Sequence, residues 1–505
     1  MKRYLSLIIG IVLCSSCGKF LEEFSQDLAY AESCSDLDEI LIGNGYMQQQ
    51  LGGEASVYGT GYFPYIHTMD DDVSMALIGE FELTANAVTS YKHFYEWSDQ
   101  LTIDPASGEE WEDTDWEKMY SHIGYLNVII AQVKKFTHDS IETRNRIEGE
   151  ARFLRGAYYY LLTNLYANPY VKESATRDMG VPLNLTEDIE DKYYTRSSLE
   201  ECYRVIVEDL KAAADKLKGV TQPTFYRVNE QAARVLLSRV YLYMGEWQLA
   251  LDECEKVLAL GNADLIDLNS FSEDDEERYM LDDKNPEILF TQGKSATISY
   301  GTSLDWGIRA AFVASDELIS LYDRYYDEGL EDLRLDVFFQ VKNERYTLKK
   351  VGSGSWTDVY DCFVIRNAEV YLNKAEAEAM LDKAEAVSTI KTLLEKRFKG
   401  RNIPAIDRLQ GKELVDFIRD ERRRELCFEA HRWFDLRRYA VSPKYPEKKS
   451  IKHTTYDKNS VLEGNYVLQP YGEDPAWVLP IPGYEIIYNQ GALVNNPERK
   501  SRKLE

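Results

Sequence analysis

The feature that most constrains the fold is a helical spacing of apolar residues that persists from about Trp116 to Leu260. Apolar side chains recur there at intervals of three and four residues, which places them on one face of an α-helix. One such stripe runs from Ile123 to Val133 and another from Ala151 to Leu165, and a further helix is expected from Leu199 to Leu217 after a serine cap. We therefore predict a mainly α-helical protein.

One stretch of this region predicts a helical hairpin of the tetratricopeptide kind, from Ala232 to Leu258. Gly245 falls in the turn, Trp247 begins the second helix, and Ala250 provides a small residue where the two helices approach each other. Arg234 stands where this repeat usually has an aromatic residue. Packed helical pairs of this kind form a scaffold and carry no chemistry of their own.

Two weaker hairpins are predicted, one joining residues 144–167 to 199–217 across an insertion and one joining 364–381 to 383–397. We interpret residues 17–505 as one large domain with helices at about 116–260 and 364–440. Three segments combine aromatic residues with few periodic signals and are predicted to be rich in loops: 52–112, 262–311 and 442–477. Long irregular segments inside a compact domain are usually functional or disordered, so a ligand site is expected there.

The N-terminus predicts export. Lys2 and Arg3 precede a ten-residue apolar run, Tyr4 to Leu13, which is too short for a permanent membrane span of about 20 residues. Small residues and Cys17 follow, so residues 1–16 are predicted to be a signal peptide and Cys17 a lipidated first residue. Several acyl chains on one cysteine would hold the protein firmly at a membrane.

Composition excludes some classes of protein. The formal net charge is −27, which argues against nucleic acid as a partner. The chain has 36 Tyr and 8 Trp, side chains that suit both packing and stacking on carbohydrate. The cysteines beyond the N-terminal region are odd in number and scattered, so we expect buried thiols and neither a disulfide framework nor a zinc site. They are Cys34, Cys202, Cys254, Cys362 and Cys427.

The segment 421–439, ERRRELCFEAHRWFDLRRY, first suggests a basic binding patch. On a helical wheel, however, its charges share one face with core residues, so we predict a buried helix with internally paired charges. Glu429 and Arg432 are three residues apart and are expected to meet along the helix, whereas Glu425 needs an arginine from another turn or segment.

This segment closely resembles the C-terminal signature of the SusD/RagB family, and further motifs match in order along most of the chain. They are Cys17 with the acidic Leu21-Glu22-Glu23; Trp116, Tyr120 and Asn127; EARFLRGAYYYLL from Glu150; AARVLLSRVYLYMG from Ala232; NPEILF from Asn285; IRNAEVYLNKAEAEAML from Ile365; and WVLPIPGYEIIYNQGALVNNP from Trp477. The resemblance implies a lipoprotein on the outer-membrane surface of a Bacteroidetes-type bacterium. It also implies an oligosaccharide or peptide ligand, a SusC-like TonB-dependent transporter as partner, and no catalytic activity or cofactor.

Sugar rings present apolar C–H faces that stack on flat aromatic side chains. By this rule the loop-rich segments offer Trp97, Tyr300 and Trp306, and a separate loop at Gly352 to Trp356 offers Trp356, as predicted ligand contacts. Asp70, Asp71 and Asp72 lack the spacing of a calcium loop, so we expect a solvated acidic turn and no metal.

Two other functions remain open from the residues alone, a surface glycan hydrolase and a structural or adhesive lipoprotein. The six histidines are isolated and no H-E-x-x-H motif occurs. Gly352 to Trp356 does not have the G-x-S-x-G form of a nucleophile elbow. A glycosidase needs only two carboxylates at the right separation, so the many acids neither support nor exclude one.

Overall fold

The structure, a computed structural model, describes residues 31–47, 62–75 except 64, 86–101, 113–271, 279–293, 312–351 except 343, 359–456 except 361, and 461–505. These residues form a mainly α-helical fold, as predicted. The α-helices are α1 (Cys34–Ile40), α2 (Asn86–Tyr95), α3 (Asp115–Gln132), α4 (Ile141–Tyr166), α5 (Leu199–Lys216), α6 (Glu230–Met244), α7 (Trp247–Ala259), α8 (Asp316–Asp323), α9 (Arg334–Phe338), α10 (Asn367–Met380), α11 (Glu385–Leu394), α12 (Gly411–Leu426), α13 (Arg432–Ala440) and α14 (Gly483–Tyr488).

The hairpin α6–α7 matches its prediction closely. Gly245 closes α6 with φ of 72°, a left-handed conformation that glycine adopts without steric cost, and Trp247 begins α7. Ala250 is fully buried where the helices meet. Arg234 uses the aromatic position differently, because its guanidinium bridges Glu230 of its own helix and Glu253 of α7. An ion pair therefore joins the two helices at a position that the repeat usually fills with a ring.

The other two predicted hairpins are also confirmed, since α4 packs on α5 and α10 packs on α11. Ser198 begins α5 with a capping box, in which its hydroxyl accepts from Glu201 N–H and the Glu201 carboxylate accepts from Ser198 N–H. Gly156 lies at the close approach of α4 to α5, where an added Cβ would meet the Leu210 side chain at 3.2 Å. Short-range helical signals thus predicted the framework correctly.

The described strands are short and form four two-stranded antiparallel pairs, β1 with β3, β2 with β6, β4 with β5 and β7 with β8. They are β1 (Val73–Met75), β2 (Ile288–Thr291), β3 (Phe312–Ala314), β4 (Phe339–Lys342), β5 (Arg345–Leu348), β6 (Val364–Arg366), β7 (Ile451–Tyr456) and β8 (Leu462–Leu468). The pair β7–β8 lies within the segment 442–477 that is predicted to be rich in loops, and most of the described residues of that segment lie outside these strands. Strand β7 alternates buried and outward residues, a period of two that the prediction did not use.

The arginine-rich segment is two helices and not one, which corrects the prediction for 421–439. Helix α12 ends at Leu426 and α13 begins at Arg432, because Phe428 and Ala430 adopt left-handed φ values of 57° and 58°. The segment is buried, as predicted. The break separates Glu429 from Arg432, and the predicted pairing between them does not occur.

Two clusters of apolar side chains form the described core. The larger one unites α3 to α7 with the strands and the C-terminal region, and the smaller one lies between α10, α11 and α12. The five cysteines after the N-terminal region are buried thiols, as expected, and no disulfide joins them. Among the helices that the structure describes, none has the length and apolar character needed to cross a bilayer.

Candidate functional site

Trp97 follows α2 and lies in the core, at 0% exposure. One face of its indole stacks on the His453 ring at 4.3 Å between centroids, and the Arg502 guanidinium lies 5.6 Å from the ring centroid. The indole N–H donates to the Met69 carbonyl at 2.9 Å. A ligand could stack on Trp97 only if one of these neighbours moved. This corrects the expectation that Trp97 is an accessible ligand contact.

Asp70, Asp71 and Asp72 are buried, so the prediction of a solvated acidic turn is wrong. The Asp71 carboxylate accepts two hydrogen bonds from Arg432, at 2.7 and 2.9 Å, and Asp72 accepts one from Arg423 at 2.7 Å. Burial raises the pKa of Asp71, but Arg423 and Arg432 outweigh it and hold that pKa well below its usual range. Cations from the α12–α13 region, more than 350 residues away, therefore neutralise this turn.

The same acidic turn joins the borders of two predicted ligand loops. Strand β1 follows directly after Asp72 and pairs with β3, so that Met75 lies opposite Phe312. Ser315, just after β3, donates its N–H to the Asp72 carbonyl at 2.9 Å and its hydroxyl to the Asp71 carbonyl at 2.7 Å. Met75 borders undescribed residues 76–85 and Phe312 borders undescribed residues 294–311, so these two borders are held side by side.

A second anchor connects the borders of further loop segments. The Gln292 side chain accepts from the Met47 N–H at 3.0 Å and from the Tyr158 hydroxyl at 3.2 Å. Its neighbour Thr291 accepts the Tyr360 N–H at 2.9 Å and donates its hydroxyl to the Tyr360 carbonyl at 3.1 Å. Met47 precedes residues 48–61, Gln292 lies just before 294–311, and Tyr360 follows 352–358. The predicted contacts Tyr300, Trp306 and Trp356 lie outside the described residues.

Below these anchors is a buried ion cluster centred on Glu425, which we call the Glu425 cluster. Its carboxylate accepts from Arg366 at 2.7 Å, from Arg397 at 2.9 Å and from Arg334 at 3.2 Å, all from other segments, as predicted for Glu425. The full cluster contains five cations and five carboxylates, each side chain at most 1% exposed: Arg334, Lys350, Arg366, Arg397 and Arg424 with Glu287, Asp332, Glu421, Glu425 and Glu429.

The Glu425 cluster has a structural role. Burial raises the pKa of Glu425, yet Arg397 and Arg366 hold it well below its usual range. A carboxylate that is enclosed, ionised and saturated with guanidinium donors cannot reach a substrate or take its proton. The formal charges of the cluster cancel, which is the condition for keeping so many ions away from water.

Comparison with known proteins places these features in a family. The model of the SusD family matches residues 338–498. A second, SusD-like model, described as starch-binding and associating with the outer membrane, matches residues 64–242. The chain belongs to the SusD family. The matched segments contain the predicted motifs from Trp116 onward, except the one at Asn285 and the last three residues of the one that begins at Ala232.

Curated relatives of this SusD-family chain have similar length. The SusD-like protein P2 of Formosa agariphila is 24% identical over 437 residues, which is 76% of this chain and 79% of that protein. The SusD-like protein P25 of the same organism is 24% identical over 488 residues, which is 85% of this chain and 88% of that protein.

Solved SusD-type structures share the fold. A putative sugar binding protein from Bacteroides vulgatus superposes with a TM-score of 0.71 at 24% identity, covering 94% of this chain and all of that one. A SusD superfamily protein from Bacteroides thetaiotaomicron gives a TM-score of 0.67 at 22% identity, covering 92% and 100%.

Two carboxyl groups of the SusD-family chain that sequence reasoning missed hold the segment around residues 62–65. Asp115 accepts the Phe63 N–H at 2.7 Å, and Asp113 accepts the hydroxyls of Tyr65 and Tyr166, each at 2.7 Å. Burial, with the nearby Asp113 adding to it, raises the pKa of Asp115 to about 7. The D-x-D spacing before a helix was the only available signal, and it is too common to be specific.

Proposed function

We propose that the protein is a cell-surface lipoprotein that captures a glycan and delivers it to a TonB-dependent outer-membrane transporter. The observation that carries the proposal is the match of residues 64–242 to the model described as starch-binding and associating with the outer membrane. The similar fold of a putative sugar binding protein supports it. A peptide is the alternative ligand.

The proposed ligand contacts are Tyr300, Trp306 and Trp356, which are flat aromatic residues suited to stacking on sugar rings. We leave Trp97 out of this set because both of its faces are covered. The two anchors support this choice, since they hold the borders of residues 294–311, which contain Tyr300 and Trp306, and of residues 352–358, which contain Trp356, against the described core.

A glycan array that includes peptides, probed with residues 17–505, tests the ligand class. We expect saturable binding to one class of glycan. The double variant Tyr300→Ala/Trp306→Ala should bind that glycan much more weakly, whereas Tyr326→Ala, at an exposed tyrosine on a separate turn, should bind it like the wild type. Unchanged binding by a correctly folded double variant would remove both residues from the site.

We further propose that the protein binds its glycan without cleaving it. Incubation of the purified protein with the glycan that it binds should release no products. Any release that survives purification to homogeneity would contradict the non-enzymatic assignment and favour the hydrolase.

Anchoring and delivery need separate experiments. We expect fatty-acid labelling of the wild type and none of Cys17→Ala, together with release of that variant from the membrane. A pull-down of the lipidated protein from detergent-solubilised outer membranes should retrieve a TonB-dependent barrel. Repeated pull-downs without a barrel would contradict delivery but leave glycan capture intact.

A further inference from the structure

A groove beside Tyr488 is lined by none of the residues proposed above as ligand contacts. It is formed where α14 meets the beginning of α3 and the insertion between α4 and α5, and its volume is about 190 Å³. Four aromatic side chains line it: Trp116, Tyr120, Tyr194 and Tyr488. We call it the Tyr488 groove. Its two walls come from the two segments that match SusD-type models, 64–242 and 338–498.

Hydrogen bonds between lining residues of the groove fix its aromatic walls. The Tyr120 hydroxyl donates to the Pro182 carbonyl at 2.8 Å. The Tyr194 backbone N–H donates to the Asn489 side-chain oxygen at 2.8 Å, which joins the insertion to the end of α14. A ligand would therefore meet rings that are already ordered, and little entropy would be lost on binding.

Tyr488 provides the open face. It is 73% exposed, while Tyr120 and Tyr194 are half-buried and Trp116 is buried at the base. An exposed tyrosine beside other aromatic rings offers a flat apolar face for stacking on the C–H face of a sugar. The volume is below the roughly 300–1,000 Å³ of pockets that enclose a drug-sized ligand, so the groove suits a single ring of a longer chain.

The polar groups of the groove determine the charge of the sugar ring that it can bind. The Glu485 carboxylate lines the groove, and its contact with the Asn489 amide is long, at 3.3 Å. Burial and then Glu117 raise the pKa of Glu485. The nearby Lys192 is paired with Glu190 at 2.6 Å, so it brings little net positive charge. A carboxylate accepts hydrogen bonds from sugar hydroxyls, whereas it repels an anionic glycan.

We propose that the Tyr488 groove is a second glycan-binding site, which takes one neutral sugar ring by stacking it on Tyr488 and accepting its hydroxyls at the Glu485 carboxylate. This inference rests on the proposed function. It adds a site outside the aromatic loops, so one long polysaccharide, or two chains, could be held at two points. Two linked contacts strengthen binding beyond either one alone.

Affinity gel electrophoresis tests the proposal with neutral polysaccharides (amylopectin, xyloglucan and galactomannan) and with alginate as the anionic probe. The variant is Tyr488→Ala and the matched control is Tyr326→Ala, because these tyrosines are 73% and 72% exposed. Each substitution is also placed in the Tyr300→Ala/Trp306→Ala background. Unchanged thermal unfolding confirms that each variant is folded.

We expect Tyr488→Ala to weaken binding of the retarding neutral polysaccharide about tenfold, which corresponds to about 1.4 kcal/mol. Tyr326→Ala should have no effect, and Tyr488→Ala should remove the binding that the loop double variant retains. If Tyr488→Ala and Tyr326→Ala bind such a polysaccharide with equal affinity, the second site is overturned but the proposed function is not. Absence of binding to every glycan would overturn the proposed function with it, and Tyr488-dependent binding of alginate or of a peptide would overturn the ligand class.

Discussion

Removing one charge from the Glu425 cluster should cost a large part of the stability of the protein. In Glu425→Gln the side chain keeps its shape, but it loses the carboxylate that three guanidinium groups share at 2.7 to 3.2 Å. The five remaining cations would then face four carboxylates at sites that are at most 1% exposed. Breaking a buried ion pair on one side costs about 3–5 kcal/mol.

Urea unfolding followed by circular dichroism measures this loss. With a slope of about 3 kcal/mol per molar urea, the midpoint should fall by about 1–1.7 M. The matched control is Glu208→Gln, because Glu208 pairs with Arg204 along α5 and is 60% exposed. An exposed pair contributes about 0–1 kcal/mol, so this variant should unfold almost like the wild type. A Glu425→Gln midpoint within error of the control would refute the reasoning.

Three further substitutions separate local effects by the same unfolding assay. In Asp115→Asn the raised pKa of about 7 disappears. The stability that a protonated Asp115 provides is complete below about pH 4 and lost as the pH rises through about 7, so the variant should lose less stability than the wild type between about pH 4 and 7. Gly245→Ala should cost about 1–2 kcal/mol, because φ is 72° there, and no loss would contradict a left-handed turn. Trp97→Ala should cost about 3–5 kcal/mol and lower glycan affinity only through unfolding, whereas a selective loss of affinity would restore it to the site.

Much of the framework could be predicted because its signals are local. The turn at Gly245 and the cap at Ser198 depend on a few neighbouring residues, and the structure has both where expected. The break between α12 and α13 could not be predicted in the same way. Phe428 and Ala430 hold left-handed conformations that neither residue favours, so tertiary contacts impose the break. A helical wheel drawn across 421–439 therefore paired Glu429 with the wrong arginine.

The candidate site was harder to predict because its determinants are distant in sequence. Three adjacent aspartates suggested a solvated turn, and their burial depends on Arg423 and Arg432 from the other end of the chain. Trp97 had the residue type of a ligand contact, but His453 and Arg502 cover it. A single sequence shows which residue type stands at each of these positions. It does not show which distant residues cover that side chain and so determine how exposed it is.

The Glu425 cluster also has a consequence for how the chain folds. Its members span residues 287 to 429, and the ion pair of Asp71 is formed with Arg432. The charges of the cluster and the charge of Asp71 can therefore be neutralised only after the C-terminal third has been synthesised. Closing such long loops is slow, and contacts between distant residues lower folding rates. A chain interrupted before α12 would hold arginines and acids without their partners. We therefore expect late, all-or-none acquisition of protease resistance, with no stable N-terminal intermediate.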